Sequence, residues 1–124
     1  MQTYSPGEIA EKTGFSLDTL RYYERIGLLD GIARTAGGRR VFSDDDVSWL
    51  GILRCLRDTG MPIAQMRRYA DLTRDERTMR ERLDLLEEHD RAIGQRLDEL
   101  IAQREHIRGK IRYYRSLDLP DAGE

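Results

Sequence analysis

From Met79 onward, apolar side chains recur in alternating steps of four and three residues. Met79, Leu83, Leu86, Asp90, Ile93, Leu97, Leu100, Arg104, Ile107, Ile111 and Tyr114 occupy the stripe, and nine of these eleven are apolar or aromatic across five heptads. This is the pattern of a coiled-coil seam, because a stripe repeating every 3.5 residues keeps facing a partner along the helix. A helix of that length extends about 55 Å at about 1.5 Å per residue. No small domain ahead of it covers so long a stripe, so a partner is required, most economically a second copy of the chain.

The two polar seam positions bear on orientation. Asp90 and Arg104 lie seven residues to either side of Leu97. In an antiparallel pair crossing near Leu97 and Leu100, each Asp90 lies in a layer next to the partner's Arg104. A parallel pair would instead bury like against like. The expectation is an antiparallel homodimer.

With the seam assigned, what precedes it is one domain's worth of the 124 residues. Charged residues make up 35% and apolar ones 39%, with three prolines, a helix-rich composition. The longest apolar run, residues 49–53, is too short to cross a bilayer, so no membrane partner is expected. The N-terminus lacks the basic and apolar regions of a signal peptide, and the single Cys excludes an internal disulfide. A reducing cytoplasm is the expected location. The net charge of −2 divides unevenly, with +1 over residues 1–70 and −3 over the rest. The early cations gather at Arg21 and Arg25, at Arg34, at Arg39 and Arg40, and at Arg67 and Arg68, which permits a local basic surface.

Two short helices with strong caps open the chain. Ser5, Pro6 and Glu8 form a capping box for a helix over about 6–12 that Gly14 ends. Ser16 is the N-cap of the next helix, Asp18 favours its positive end, and Gly27 offers a left-handed stop. Two helices joined by so tight a turn predict a helix-turn-helix whose second member is the recognition helix. Leu17, Leu20 and Tyr23 are expected inward. Asp18, Thr19, Arg21, Tyr22 and Arg25 remain outside, a mixture of cations and hydroxyls suited to base edges and phosphates. The alternative is a solvated helix with an Arg21–Glu24 pair.

Residues 32–42 then alternate like strands about Gly37 and Gly38, whose positive φ angles would turn a hairpin. This predicts a wing whose Arg34, Arg39 and Arg40 sit where phosphates flank a groove. Ser43 caps a helix running to Asp58, with Val47, Trp49, Leu50, Leu53 and Leu56 inward and Thr59-Gly60 as its stop. Cys55 falls about 160° from the middle of that stripe, at roughly 100° per residue, and is expected on a second surface. A helix over about 62–72, a polar linker at 73–77, a capping box of Thr78 and Glu81, a coil over 78–115 and a flexible tail at 116–124 complete the reading.

The order of elements and the strings Ser5-Pro6-Gly7-Glu8-Ile9-Ala10, Thr19-Leu20-Arg21-Tyr22-Tyr23-Glu24, Gly27-Leu28-Leu29 and Gly38-Arg39-Arg40-Val41-Phe42 resemble the MerR family of bacterial transcription regulators. The resemblance implies a mostly α fold, with a winged helix-turn-helix domain at 1–72 and a long antiparallel dimerisation helix. Arg21 and Tyr22 would contact DNA, Tyr23 would support or join them, and Arg40 would be the wing's backbone contact. With Ser16, Asp18, Thr19, Arg25 and Arg39 these form the expected DNA-binding set. Arg39 and Phe42 stand where the family commonly has tyrosines. The family's mechanism would be distortion of a promoter with a long spacer, which engages RNA polymerase indirectly.

One Cys with His89 and His106 supplies no closed metal site, and neither metal nor cofactor is expected. The segments at 55–61, 81–89 and 110–114 look like the short branch that senses aldehydes or other electrophiles through one thiol. That makes Cys55 the candidate sensor, with Arg54 and Arg57 as chain neighbours. A ligand-independent DNA binder and a coiled-coil adaptor remain alternatives. An enzyme is not expected, since no paired carboxylates, nucleophile constellation or phosphate-cradling loop is present.

Overall fold

The computed structural model of the protein describes residues 2–117. The elements run β1 (Thr3–Tyr4), α1 (Pro6–Thr13), α2 (Leu17–Arg25), β2 (Ala33–Arg34), β3 (Arg40–Ser43), α3 (Asp44–Asp58), α4 (Ile63–Thr73), a 3-10 turn (Glu76–Thr78) and α5 (Met79–Ser116). The fold is mostly α, as expected. Of the tail assigned to 116–124, Ser116 ends α5, Leu117 follows it, and the remainder lies outside the described residues.

The helix ends follow the caps. Ser5 and Glu8 form the reciprocal capping box of α1, and Ser43 forms one with Asp46 at α3, where a shorter carboxylate does the work of Glu. Both α2 and α3 end in the same way. Gly27 and Gly60 take φ of +88° and +90°, while the next amides, of Leu28 and Met61, bond back to the carbonyls of Tyr23 and Leu56. These are Schellman stops, and they turn Leu28 and Met61 into the core.

The sheet order is β1-β3-β2, antiparallel throughout, with Tyr4 opposite Phe42 and Arg34 opposite Arg40. The hairpin β2–β3 is the expected wing, although only Gly38 of the Gly37-Gly38 pair takes a positive φ. Strand β1 is an addition that the sequence reading lacks, since two residues show no alternation. It is held by β3 and by the Tyr4 hydroxyl, which donates to Asp44 Oδ1 at 2.8 Å.

The core consists of Ile9, Phe15, Leu20, Tyr23, Leu28, Leu29, Phe42, Leu50, Leu53, Leu56, Met61, Met66 and Ala70. Each fully buried large side chain contributes on the order of 1.5–3 kcal/mol. Three expectations need correction here. Leu17 is 40% exposed rather than inward, because it sits in the first turn of α2, beyond the reach of the core. Ile63, expected on the inner face of α4, is exposed likewise, while Ala70 is buried in that helix. Thr78 does not cap α5; its hydroxyl donates to the carbonyls of Leu72 and Asp75 and accepts from Arg82 Nε.

Two compact units divide the chain between Leu85 and Leu86, so the first turns of α5 cluster with the helix-turn-helix unit rather than with the rest of the coil. No residue of α5 is buried. Among the described residues, no helix is long and apolar enough to cross a membrane.

Candidate nucleic-acid interface

The interface is built on α2. Ser16 Oγ accepts the Thr19 amide at 3.1 Å and donates to Thr19 Oγ1 at 2.9 Å, so both residues are committed to the helix start. The helix is pinned from behind by Leu20 and Tyr23, the latter edge-on to Phe15 with ring centroids 5.4 Å apart. Arg57 lies over the other side of this cluster, 4.7 Å from the Phe15 ring. Tyr23 is 3% exposed, so it supports the helix and does not join the outer face. Burial pushes its phenol above the ordinary value, partly offset by Arg57.

The turn into α2 depends on Gly14. Its φ is +79°, and a Cβ built there would collide with the guanidinium of Arg54, which donates to the Thr13 carbonyl. The turn out of α2 is held by side chains of α3 and of the end of α4. Trp49 Nε1 donates to the Leu28 carbonyl at 2.7 Å, and Arg74 donates to that of Gly27. Trp49 stacks on Tyr69 of α4 at 5.7 Å, so α3 and α4 together grip the end of α2.

Outward, α2 presents Asp18, Arg21, Tyr22 and Arg25, all exposed, with Thr19 half-buried among them. Arg25 lies over the Tyr22 ring at 5.4 Å. Arg21 pairs weakly with Asp18 at 3.4 Å, a solvated contact worth a few tenths of a kcal/mol at most. The Arg21–Glu24 pair allowed by helical spacing is not formed. Glu24 Oε1 instead accepts from Arg34 Nη2 at 2.9 Å and from Arg40 Nε and Nη2 at 3.1 and 2.9 Å. A fork of two N–H groups on a half-buried carboxylate outweighs one exposed pair along a helix.

This changes the reading of the wing. Arg34 and Arg40 were expected to point at phosphates, yet both point at α2. Arg34 also donates through Nη1 to the Gly38 carbonyl at 3.1 Å, tying down the hairpin turn. Arg39 is the wing cation whose guanidinium has no partner among the described residues. Glu24 is the site residue that sequence reasoning missed, because its partners lie ten and sixteen positions away and no local rule connects them.

Cys55 is exposed on α3, as its position off the apolar stripe implied. Its neighbours Arg54 and Arg57 are both engaged by Asp58, at 3.4 and 3.0 Å. The Arg57 hydrogen bond, with help from Arg54, holds the Asp58 carboxyl below its usual range. Among the described residues, no group of three or more His, Cys, Asp or Glu side chains is placed to hold a metal ion.

Comparison with known proteins places this geometry in a family. The profile of the MerR HTH family regulatory proteins matches residues 4–73, the span from β1 to the end of α4. An uncharacterised HTH-type transcriptional regulator of Haemophilus influenzae is 36% identical over 90% of this chain and 84% of its own length. The Bacillus subtilis HTH-type transcriptional regulator AdhR is 34% identical over 64% of this chain and 57% of its own length. Among solved structures, HiNmlR, a MerR family regulator lacking the sensor domain and bound to promoter DNA, superposes with a TM-score of 0.85 at 35% identity, covering 93% of this chain and 92% of that one. A MerR family regulator from Bacillus thuringiensis superposes with a TM-score of 0.80 at 26% identity, over 91% and 100% of the two chains. Matched by the family profile over residues 4–73 and by the fold of HiNmlR over 93% of its length, the protein belongs to the MerR family of DNA-binding transcriptional regulators.

Proposed function

We propose that the protein binds a promoter as an antiparallel homodimer, inserts the outer face of α2 into the major groove, and controls transcription by distorting a spacer of unfavourable length. The observation that carries this is the α2 face itself. Arg21, Tyr22 and Arg25 stand exposed on a helix that is pinned from behind and at both ends, so side chains are presented to DNA at little ordering cost. Arg39 of the wing adds a free cation, and Arg40 keeps Nη1 outside its fork with Glu24, available to a phosphate oxygen. Ser16 and Thr19 set the helix start, and Asp18 carries an acceptor suited to a cytosine amino group. That HiNmlR, a MerR family regulator, is bound to promoter DNA supports promoter DNA as the partner here.

Dimerisation has its own support. Met79, Leu83, Leu97, Leu100, Ile107 and Ile111 are exposed along α5, and Leu86 and Ile93 are half-buried on the same stripe. Asp90 and Arg104 make no ion pair among the described residues, which leaves both for a partner helix. Distortion of the promoter would bring RNA polymerase into register without direct contact, through differential affinity of the dimer for two DNA shapes.

The signal assigned to the dimer is an aldehyde or related electrophile, sensed at Cys55. The exposure of its thiol supports this. The thiolate would add to the carbonyl carbon and the carbonyl oxygen would take up a proton, giving a hemithioacetal. The test is transcription from a promoter bound by the protein, wild type against Cys55→Ala, with and without formaldehyde. Induction by the wild type alone, with DNA binding retained by both, is the expected result. Equal induction by both removes Cys55 from the signal and leaves a regulator that responds to something else.

A further inference from the structure

We infer that Glu24 is the positioning residue that sets the wing for DNA recognition, by locking two of the three wing arginines onto the recognition helix. The inference rests on the proposed use of α2 and the wing as one DNA-reading surface. One carboxylate oxygen on α2 accepts three N–H groups from two guanidiniums that leave adjacent strands, and Arg34 and Arg40 are themselves directly opposite in the β2–β3 register. Arg34 is held at both terminal nitrogens in this arrangement, with Nη2 on Glu24 and Nη1 on the hairpin carbonyl of Gly38. Arg40 is held by two of its three nitrogens, so its Nη1 is aimed by the protein rather than by the DNA. Arg39, between Gly38 and Arg40, carries no such tether among the described residues.

The arrangement separates two properties that a basic wing would otherwise confound. Three mobile arginines would bind any phosphate they met, raising affinity for every sequence alike. A carboxylate that removes Arg34 and half of Arg40 from that pool lowers non-specific attraction. It also fixes the wing's angle against α2, so that phosphate contacts form only where the groove is correctly spaced. Glu24 thereby converts wing charge from affinity into registration.

The experiment measures binding by fluorescence anisotropy to two duplexes across a salt series, one selected by the wild-type protein from a random pool and one scrambled at the same length. For Glu24→Gln, the ratio of affinities for the two duplexes is expected to fall at least fivefold. Affinity for the scrambled duplex should rise, and the slope of log K against log salt on that duplex should steepen by about 0.9 for each guanidinium released to a phosphate. Arg40→Lys keeps the charge but loses the fork, so its ratio should fall while its slope stays at the wild-type value. This second variant carries the test if Glu24→Gln proves unfolded by circular dichroism. A wild-type preference for the selected duplex that survives within twofold in the folded variants overturns the inference alone. A wild-type protein that shows no salt-dependent preference overturns the DNA-reading surface and the inference with it.

Discussion

The helix-turn-helix unit and the coil helix use apolar residues in opposite ways. Between Ile9 and Ala70, thirteen side chains are buried within one chain, from Phe15 beneath the recognition helix to Met66 in α4. Helix α5 is richer still in leucine and isoleucine, yet it buries none of them, and Leu97 and Leu100 are 54% and 63% exposed. The difference lies in periodicity rather than hydrophobicity. Short amphipathic helices with caps every few turns can fold back on one another, whereas a straight stripe across 38 residues can be covered only by something equally long. The first unit covers its own apolar side chains, and the coil helix leaves its stripe uncovered.

That contrast is open to attack from both sides. The largest effect is expected from Phe42→Ala, which empties a fully buried position between the sheet and the helices. It should cost about 3–5 kcal/mol in denaturant unfolding. Leu97→Ala should leave the unfolding of the helix-turn-helix unit unchanged and appear only in sedimentation equilibrium, as a weaker dimer. If Leu97→Ala instead lowered the unit's own stability, the division into a finished and an unfinished half would be wrong.

Orientation of the coil gives the next effect. Asp90→Arg alone should weaken the dimer by about tenfold, roughly 1.4 kcal/mol, and the exchange of Asp90 and Arg104 together should restore it. Equal dissociation constants for the single and double variants would contradict an antiparallel pairing. The smallest effect concerns Tyr23. Burial raises its phenol pKa in the folded chain above the ordinary 10.0, so its contribution is complete below pH 10 and is lost as pH rises through the folded value. Tyr23→Phe should therefore flatten the loss of stability above about pH 10, as measured by thermal melts across alkaline buffers.

What the sequence makes legible follows the range of the forces involved. Caps at Ser5, Ser16 and Ser43 and the glycine stops at Gly14, Gly27 and Gly60 act within four residues, and each appears where local chemistry puts it. The long helix α5 is legible because the apolar period repeats five times. Strand β1 is not, since two residues carry no period and only β3 makes them a strand. Leu17 departs from its spacing for a related reason: the spacing places it on the inner face of α2, but the core ends before the first turn reaches it. The ion pairs of Glu24 lie further still from local rules. Helical spacing offers Arg21, and the folded wing delivers Arg34 and Arg40 to the same carboxylate with better geometry. The candidate DNA face was legible as a set of residue types, but the division of its arginines into tethered and free was not.

The measurement that bears most directly on the account is DNA affinity across a salt series for the wild type and for Arg21→Ala, at protein concentrations where sedimentation shows one and the same oligomeric state. Arg21 is exposed on the pinned helix and, among the described residues, held only by a 3.4 Å contact with Asp18. Its loss should lower affinity for the selected duplex by about 1–3 kcal/mol if it reads a base, or reduce the salt slope by about 1 if it holds a phosphate. An Arg21→Ala protein with wild-type affinity and wild-type slope would contradict the central claim that the outer face of α2 is the surface that meets DNA.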